Sequence, residues 1–293
     1  MAIPESQLDT WSKQGAVAGS RDTYATVRAA LEDGTYQGTP NIFLQGSYGN
    51  DTNIYAESDV DVVIRTEEFF YYDLTFLSDA EKAAFHAAYP DRAPTSYGYA
   101  DFQSAVLAAL RERFGSSPVT PGKRAVAIAA HGNRRSADVI IAAQLRRFDS
   151  FPATPFEGIS FFTSTGERID NFPRIHSANC TARHQETSGW FKPTVRILKN
   201  ARGCMVDRGI LSSKSVAPSY FLEGLLHNVP PSEFGDSYEH CIVNAINWLQ
   251  AADKTKLLCA NGLHWLVRDG NVTWSDANFT AFMSGIVTLW NEW

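Results

Sequence analysis

Residues 46–64 constrain the fold more than any other part of this sequence. The segment begins with Gly46-Ser47 directly after an apolar run, Asn41–Gln45, and it ends with Asp59-Val-Asp61 at the start of a β-branched run, Val60–Ile64. β-Branched runs of this length favour strands, and side chains alternate across a strand with a period of two. The sequence therefore predicts two strands linked through a Gly-Ser turn. The two aspartates lie on one face of the second strand, and the neighbouring valines lie on the other.

This pattern has a chemical use. Two carboxylates side by side repel each other, and a divalent cation between them removes the repulsion. Mg²⁺ prefers carboxylate oxygens together with substrate phosphates. Gly46 lets the backbone approach a ligand closely, and the amides of the turn with the Ser47 hydroxyl can hold phosphate oxygens. We therefore predict that Asp59 and Asp61 bind metal and that Gly46 and Ser47 bind a nucleotide.

A site that holds two metal ions is expected to have a third carboxylate. Asp138 fits because it opens an apolar strand, Asp138–Ala142, and it would also act as a base toward an attacking hydroxyl. Asp149 and Asp101 are rival candidates in poorer strand contexts. We predict two Mg²⁺ ions at this site, with Mn²⁺ as a substitute.

The remaining pattern predicts an α+β chain of two parts, 1–150 and 151–293. In the first part, residues 5–32 and 104–114 are predicted as helices, and 125–130 and 137–142 as strands joined by a hairpin turn at 131–135. Prolines at 152 and 155 indicate the boundary. Beyond it the pattern is mostly helical, with helices predicted at 176–187, 192–207, 218–228, 238–251 and 276–291. A cleft between two such lobes is a usual ligand site.

Composition excludes several partners. The 293 residues carry 26 Lys and Arg against 32 Asp and Glu, a net charge of −6. We expect no general attraction to duplex nucleic acid or to an anionic membrane. The four cysteines form no C-x-x-C pair, no secretory signal is visible, and no apolar run approaches the roughly 20 residues of a membrane span. We expect a cytoplasmic monomer.

The order Gly-Ser, Asp-x-Asp and Asp resembles that of the DNA polymerase β-type nucleotidyltransferase superfamily. Nearly the full chain resembles the bacterial cGAS/DncV-like nucleotidyltransferases (CD-NTases) of CBASS antiphage defence, and among them the E-type clade. The stretches that carry this resemblance are Ile3–Trp11, Gln45–Ile54, Phe191–Asn200 and Ala217–Glu223.

The resemblance implies a polymerase β-like lobe with a mixed twisted sheet, a nucleotidyltransferase core over residues 1–150, and a helical lobe over 151–293 that closes the nucleotide site. It implies metal-dependent synthesis of a cyclic oligonucleotide second messenger from NTPs, ATP among them. We expect a cyclic dinucleotide with a pyrimidine, made during phage infection and acting on a separate effector.

A cationic stripe in the second part fits such a substrate. Lys192, Arg196 and Lys199 are spaced i, i+4 and i+7 and share one helix face. In the resembling family, a lysine of the helical lobe and the serine of the following helix hold the triphosphate, and Lys199 and Ser219 match those places. Lys192 and Arg196 are alternatively structural.

Two further residues are candidates for contact with a base. Tyr220 could stack on it or could pack in the core. Asn179 lies where E-type relatives place a residue that reads the base, and its amide, both donor and acceptor, suits a uracil edge. Zinc is not expected, because the spacing of His176, Cys180 and His184 fits no compact four-ligand pattern.

Two other functions are open from the sequence. A linear oligo- or polynucleotide transferase, similar to oligoadenylate synthetase, would use the same metal site and differ only in its product. A catalytically idle nucleotide sensor would bind nucleotide without turnover, and the presence of all three carboxylates argues against it.

Overall fold

The computed structural model describes residues 2–15, 17–57, 59–90, 96–270 and 272–293. By its contacts the chain divides into two compact units. The sheet unit consists of Ala18–Leu44 and Asp59–Phe172, and the helical unit consists of Met1–Val17, Gln45–Ser58 and Pro173–Trp293. The backbone thus leaves one unit for the other after residues 17, 44, 58 and 172.

The helices, in chain order, are α1 (Glu5–Ser12), α2 (Val17–Glu32), α3 (Gly46–Gly49), α4 (Asp79–Ala88), α5 (Tyr99–Phe114), α6 (Pro173–Glu186), α7 (Phe191–Asp207), α8 (Ser219–Asn228), α9 (Tyr238–Ala251) and α10 (Asp276–Asn291). The strands are β1 (Asn41–Gln45), β2 (Val60–Asp73), β3 (Val119–Pro121), β4 (Val126–Ile128), β5 (Ala137–Arg147), β6 (Phe156–Phe162) and β7 (Arg168–Asn171). Within the described ranges, no helix is long and apolar enough to cross a membrane.

The strands of the described residues form one mixed sheet with the order β1-β2-β5-β4-β3. Outside this order, β6 pairs with both β5 and β7. Strand β5 is central, because it pairs in parallel with β2 and antiparallel with both β4 and β6. Strand β2 begins with the side chains of Val60, Val62, Val63 and Ile64 fully buried, while Asp61 between them is partly exposed. The predicted α+β class is confirmed, and the predicted alternation holds from Val60 to Val62, beyond which Val63 and Ile64 are both buried.

The helical unit is built around α7. Phe191, Val195 and Leu198 lie at i, i+4 and i+7 on this helix and are fully buried, as expected for the apolar face of an amphipathic helix. The same core includes Leu8 of α1 and Leu222 of α8. A helix from the beginning of the chain is therefore part of the core that the C-terminal helices form.

The predicted helix over residues 5–32 is wrong in one respect, because the structure has two helices there. Lys13, at the end of α1, is extended, and the amide of Gly15 donates to the carbonyl of Asn53 at 3.0 Å. A Cβ on Gly15 would lie 2.3 Å from the carbonyl carbon of Ile54. The break thus comes from a tertiary contact, and Ala16 lies outside the described residues.

The mostly helical pattern predicted beyond residue 150 is wrong for residues 156–171. Strand β6 pairs antiparallel with β5, and β7 pairs antiparallel with β6. Both strands belong to the sheet unit. The functional boundary near residue 150 stays a prediction. The predicted helices from 176 onward are observed with small changes at their ends, and so is the hairpin between β4 and β5, whose turn closes through the pair His131 and Arg134.

Candidate active site

Asp61 and Asp138 are direct neighbours in the sheet unit. Strands β2 and β5 run parallel, and Asp61 is the register partner of Asp138. Residues paired in this way point to the same face of a sheet, and neighbouring strands are about 4.8 Å apart. The fold therefore brings together two carboxylates that are distant in the sequence.

Asp59 joins this pair from the residue before β2. Its carboxylate accepts a hydrogen bond from the hydroxyl of Ser136, which lies just before β5. Burial raises the pKa of Asp138, and the negative charge of Asp59 raises it further. Three carboxylates thus lie at the start of two parallel strands, at a place where negative charge is unfavourable without a cation.

This donor set fits hard divalent cations, which take carboxylate oxygens as ligands. Three carboxylates can also be shared between two such ions, which lie about 3.5–4 Å apart in two-metal sites.

The rival carboxylates have other roles. The side chain of Asp101 accepts from the amide of Gly98 at 2.8 Å and so caps α5. Asp149 lies beyond the end of β5 and pairs with the guanidinium of Arg147 at 2.8 Å. Of the three candidates for the third carboxylate, Asp138 is the one in register with Asp61.

The Gly-Ser turn belongs to the helical unit. Gly46 has a φ of +67°, a conformation that costs a residue with a side chain about 1 kcal/mol or more. Gly46 and Ser47 are the first residues of the short helix α3, and the turn closes through two backbone hydrogen bonds. The Asn50 amide donates to the Gly46 carbonyl at 3.0 Å, and the Thr52 amide donates to the Ser47 carbonyl at 2.9 Å.

The cationic stripe of α7 contacts the segment that follows this turn. Lys192 donates to the Asp51 carboxylate at 3.0 Å, and Lys199 donates to the Thr52 carbonyl at 3.0 Å. Arg196 donates to the Asp51 carbonyl at 2.6 Å and also to that of Ser12. Lys192 is only 7% exposed and Lys199 is fully buried. These side chains are thus part of the interior of the helical unit rather than a solvated face.

Glu57 lies among the cations of this region. Its carboxylate contacts the amines of Lys199 and Lys214 at 3.5 Å each and the guanidinium of Arg202, and the Ser219 hydroxyl donates to it at 3.4 Å. Burial opposes the charge, but Arg202 and the two lysines hold the pKa of Glu57 below its ordinary value. Burial lowers the pKa of Lys199, against the opposing charge of Glu57. Lys199 and Ser219, the predicted triphosphate residues, thus converge on one carboxylate.

Sequence reasoning missed Glu223. This residue of α8 is fully buried, and its carboxylate accepts from Asn50 at 3.0 Å, from the Thr52 hydroxyl and from His176 at 2.6 Å. The one available signal was a charged residue on the apolar face of a helix, between Leu222 and Leu225. The pattern does not identify its partners, which come from the turn region and from α6.

His176, Cys180 and Glu223 are the three potential metal ligands in the described part of the chain whose donor atoms all lie within 4.8 Å of one another. Burial raises the pKa of the Cys180 thiol, which disfavours the thiolate that a metal needs. The Glu223 carboxylate already accepts three hydrogen bonds. We therefore interpret this group as a hydrogen-bonded cluster.

The two residues predicted to contact a base are held by neighbours in the helical unit. The ring of Tyr220 stacks on that of His176 at 4.6 Å, and its hydroxyl accepts from Asn261 at 3.0 Å. Asn179, partly exposed on α6, donates to the Ala260 carbonyl at 2.9 Å. The core contacts of Tyr220 agree with a packing role, and its contact with a base stays a prediction.

Comparison with known proteins gives consistent matches. Residues 178–291 match the family model of the cGAS/DncV-like nucleotidyltransferase C-terminal helical domain. The chain is 36% identical to a cyclic UMP-AMP synthase of Rhodothermus marinus, over 100% of this chain and 99% of that protein. It is 32% identical to a cyclic dipurine nucleotide synthase of Elizabethkingia meningoseptica, over 91% of each.

The fold is similar to solved structures as well. A structure of the Rhodothermus marinus CdnE c-UMP-AMP synthase with Apcpp and Upnpp superposes with a TM-score of 0.88 at 35% identity, covering 99% of this chain and 97% of that one. The similarity extends over the sheet unit and the helical unit alike, since both lie within the covered range.

Proposed function

Because the chain belongs to the cGAS/DncV-like nucleotidyltransferase family and is a cyclic nucleotide synthase, we propose that it makes a cyclic dinucleotide containing uridine. The substrates are UTP and a second NTP, with ATP as the first candidate. The observation that carries this proposal is the full-length similarity to a cyclic UMP-AMP synthase. The amide of Asn179, whose orientation is fixed by the Ala260 carbonyl, supports the choice of uridine.

Asp59, Asp61 and Asp138 would hold two divalent cations, and we propose magnesium because all three ligands are carboxylates. Bound there, the cations would neutralise phosphate charge and make a ribose hydroxyl easier to deprotonate. Asp138, whose pKa is raised by burial and by Asp59, would accept the proton of that hydroxyl. The hydroxyl oxygen then bonds to the α-phosphorus of the other nucleotide, and pyrophosphate leaves. A second round of the same transfer closes the ring.

In the helical unit, Ser47 with the backbone amides of its turn and Lys199 with Ser219 would bind phosphate oxygens. Lys199 and Ser219 now share the Glu57 carboxylate. An incoming triphosphate carries the same sign of charge as Glu57 and would interact with the same cations.

The test is product analysis with the full chain. The protein is incubated with all four NTPs and Mg²⁺, with one NTP at a time labelled at its α-phosphate, followed by phosphatase treatment and mass spectrometry. We expect one discrete phosphatase-resistant product that takes label from UTP and from one other NTP. A ladder with phosphatase-sensitive ends would instead identify a linear transferase. Nucleotide binding without product under every condition would favour an idle sensor.

We propose further that this synthesis takes place in the cytoplasm during antiphage defence and that the product acts on a separate effector. The similarity to CD-NTases supports this role. Nucleotide extracts of cells that express the protein should gain the cyclic product after phage infection. A product level that does not respond to infection would contradict the proposal.

A further inference from the structure

Glu223 is a buried charge with an unusually complete set of partners. The residue is 1% exposed, and three side-chain donors reach its carboxylate, from Asn50, Thr52 and His176. Burial would raise its pKa, but the hydrogen bonds from His176 and Thr52 and the charge of Lys199 outweigh burial and hold the pKa below its ordinary value. The carboxylate is therefore ionised and serves as a multiple acceptor.

Two of these donors belong to the Gly-Ser turn. The amide of Asn50 donates to the carbonyl of Gly46, and the amide of Thr52 donates to that of Ser47. The Thr52 hydroxyl lies 3.4 Å from the same Ser47 carbonyl and also donates to Glu223. Glu223 is thus connected to the backbone of Gly46 through Asn50 and to the backbone of Ser47 through Thr52.

A purely structural reason for this arrangement is weak. Replacing buried ionic groups by apolar side chains of similar volume is often neutral or stabilising, because ions lose hydration when they are buried. Leu222 and Leu225, which flank Glu223 on α8, already anchor the helix in the core. A carboxylate differs from an apolar side chain at this position because its oxygens fix the orientation of the Asn50 and Thr52 side chains.

We propose that Glu223 is a positioning residue that holds the Gly46–Thr52 turn in the conformation that binds phosphate. It does not touch the substrate, and it acts through Asn50 and Thr52 on Gly46 and Ser47. The proposal rests on the phosphate-binding role proposed above for Ser47.

The test uses the full chain and inorganic triphosphate as the probe, with Mg²⁺ present. Binding is measured by calorimetry for wild type, Glu223→Gln, Thr52→Val and Thr52→Ser, and KM and kcat for NTPs are measured beside it. The matched control is Thr194→Val. Thr194 is also fully buried, and its hydroxyl donates at 2.8 Å to the Trp190 carbonyl of the same helix rather than to Glu223 or the turn.

We expect Glu223→Gln and Thr52→Val to weaken triphosphate binding about tenfold, the effect of losing a hydrogen bond to a charged group. KM should rise by a similar factor and kcat should change less. Thr52→Ser should restore binding to within about twofold of wild type. Thr194→Val should lower the melting temperature as Thr52→Val does and leave triphosphate binding unchanged.

Combining Ser47→Ala with Thr52→Val tests the path. If Thr52 acts through the turn, the double variant should bind little worse than the weaker single variant, because coupled residues are not additive. If Thr52→Val binds triphosphate as tightly as wild type and differs only in a lower melting temperature, the proposal is overturned, even if Glu223→Gln does not fold. Absence of triphosphate binding in wild type would overturn it as well. If the variants differ from wild type in triphosphate binding as expected but the wild-type protein makes no cyclic product, the positioning role is upheld and the proposed function fails.

Discussion

At the scale of single residues, the register between β2 and β5 decides which carboxylates meet. The period of two along Val60–Ile64 predicts a common face for Asp59 and Asp61, and this needs only local sequence. The pairing of Asp61 with Asp138 could not be derived in the same way, because a shift of one residue in a parallel register would turn Asp138 to the opposite face. Only the folded sheet fixes that register.

Asp61→Asn should remove activity and keep the fold. The change takes away a charged ligand and leaves a side chain of the same size on a partly exposed position of β2. Since charge stabilisation by a bound cation amounts to several kcal/mol, we expect product formation to fall by more than about 100-fold. Asp33→Asn, a change of an exposed aspartate in the same unit, is the matched control. Product formation near the wild-type rate, with an unchanged melting temperature, would contradict the metal role of Asp61.

Asn179→Leu should reduce the use of UTP. Leucine has the same branching and the same number of side-chain heavy atoms as asparagine, but it is bulkier and offers neither donor nor acceptor to a uracil edge. Loss of one such hydrogen bond corresponds to about a tenfold drop in incorporated uridine relative to the other nucleotide. Label from the other NTP in the same reaction is the internal control. An unchanged nucleotide ratio would show that Asn179 does not read the base.

At the scale of elements, the sequence pattern predicts what is local and misses what is tertiary. The helices beyond residue 172 follow from their apolar periodicity. The break before α2 does not, because it depends on the backbone of Ile54 passing Gly15. Strands β6 and β7 were missed because they are short and follow two prolines at 152 and 155, which resemble a linker.

His227, in the last turn of α8, gives the helical unit a sensitivity to acid. Burial, together with the positive charge of Arg183, lowers its pKa from 6.5 to about 4. Between these two pH values the unfolded chain binds a proton that the folded chain does not, so the free energy of unfolding should decrease as the pH falls from 6.5 toward 4. The full effect is at most about 3 kcal/mol.

Denaturant titrations at pH 7 and pH 5 check this expectation. The loss of stability between the two pH values should be smaller in His227→Gln than in wild type. His131→Gln, which alters an exposed histidine in the hairpin turn, is the control. An equal loss in wild type and His227→Gln would contradict the role of His227.

At the scale of the whole molecule, the helical unit is assembled from three separate parts of the sequence. Local periodicity cannot reveal this, because α1 and the turn region are indistinguishable in pattern from segments that belong to the sheet unit. The candidate residues of the helical unit can therefore be named one by one from the sequence, whereas the partners of Glu223 cannot.

A fragment of residues 173–293 should fail to fold cooperatively. It lacks Ile3 and Leu8, which are buried in the core of the unit, and it lacks Asn50 and Thr52. The Glu223 carboxylate would then lose two of its three hydrogen-bond donors, at a cost of roughly 3–6 kcal/mol. Thermal unfolding followed by circular dichroism, with the full chain in the same buffer as the reference, checks this. A sharp cooperative transition in the fragment would contradict the expectation.

The path of the backbone also limits how evolution and protein engineers can recombine this protein with its relatives. A single crossover at residue 172 would give a chimera whose Gly-Ser turn comes from one parent and whose Glu223 comes from the other. An exchange that keeps the helical unit intact must transfer Met1–Val17, Gln45–Ser58 and Pro173–Trp293 together. The turn and the helix that supports it are therefore expected to be inherited as a pair, although most of the sheet lies between them in the sequence.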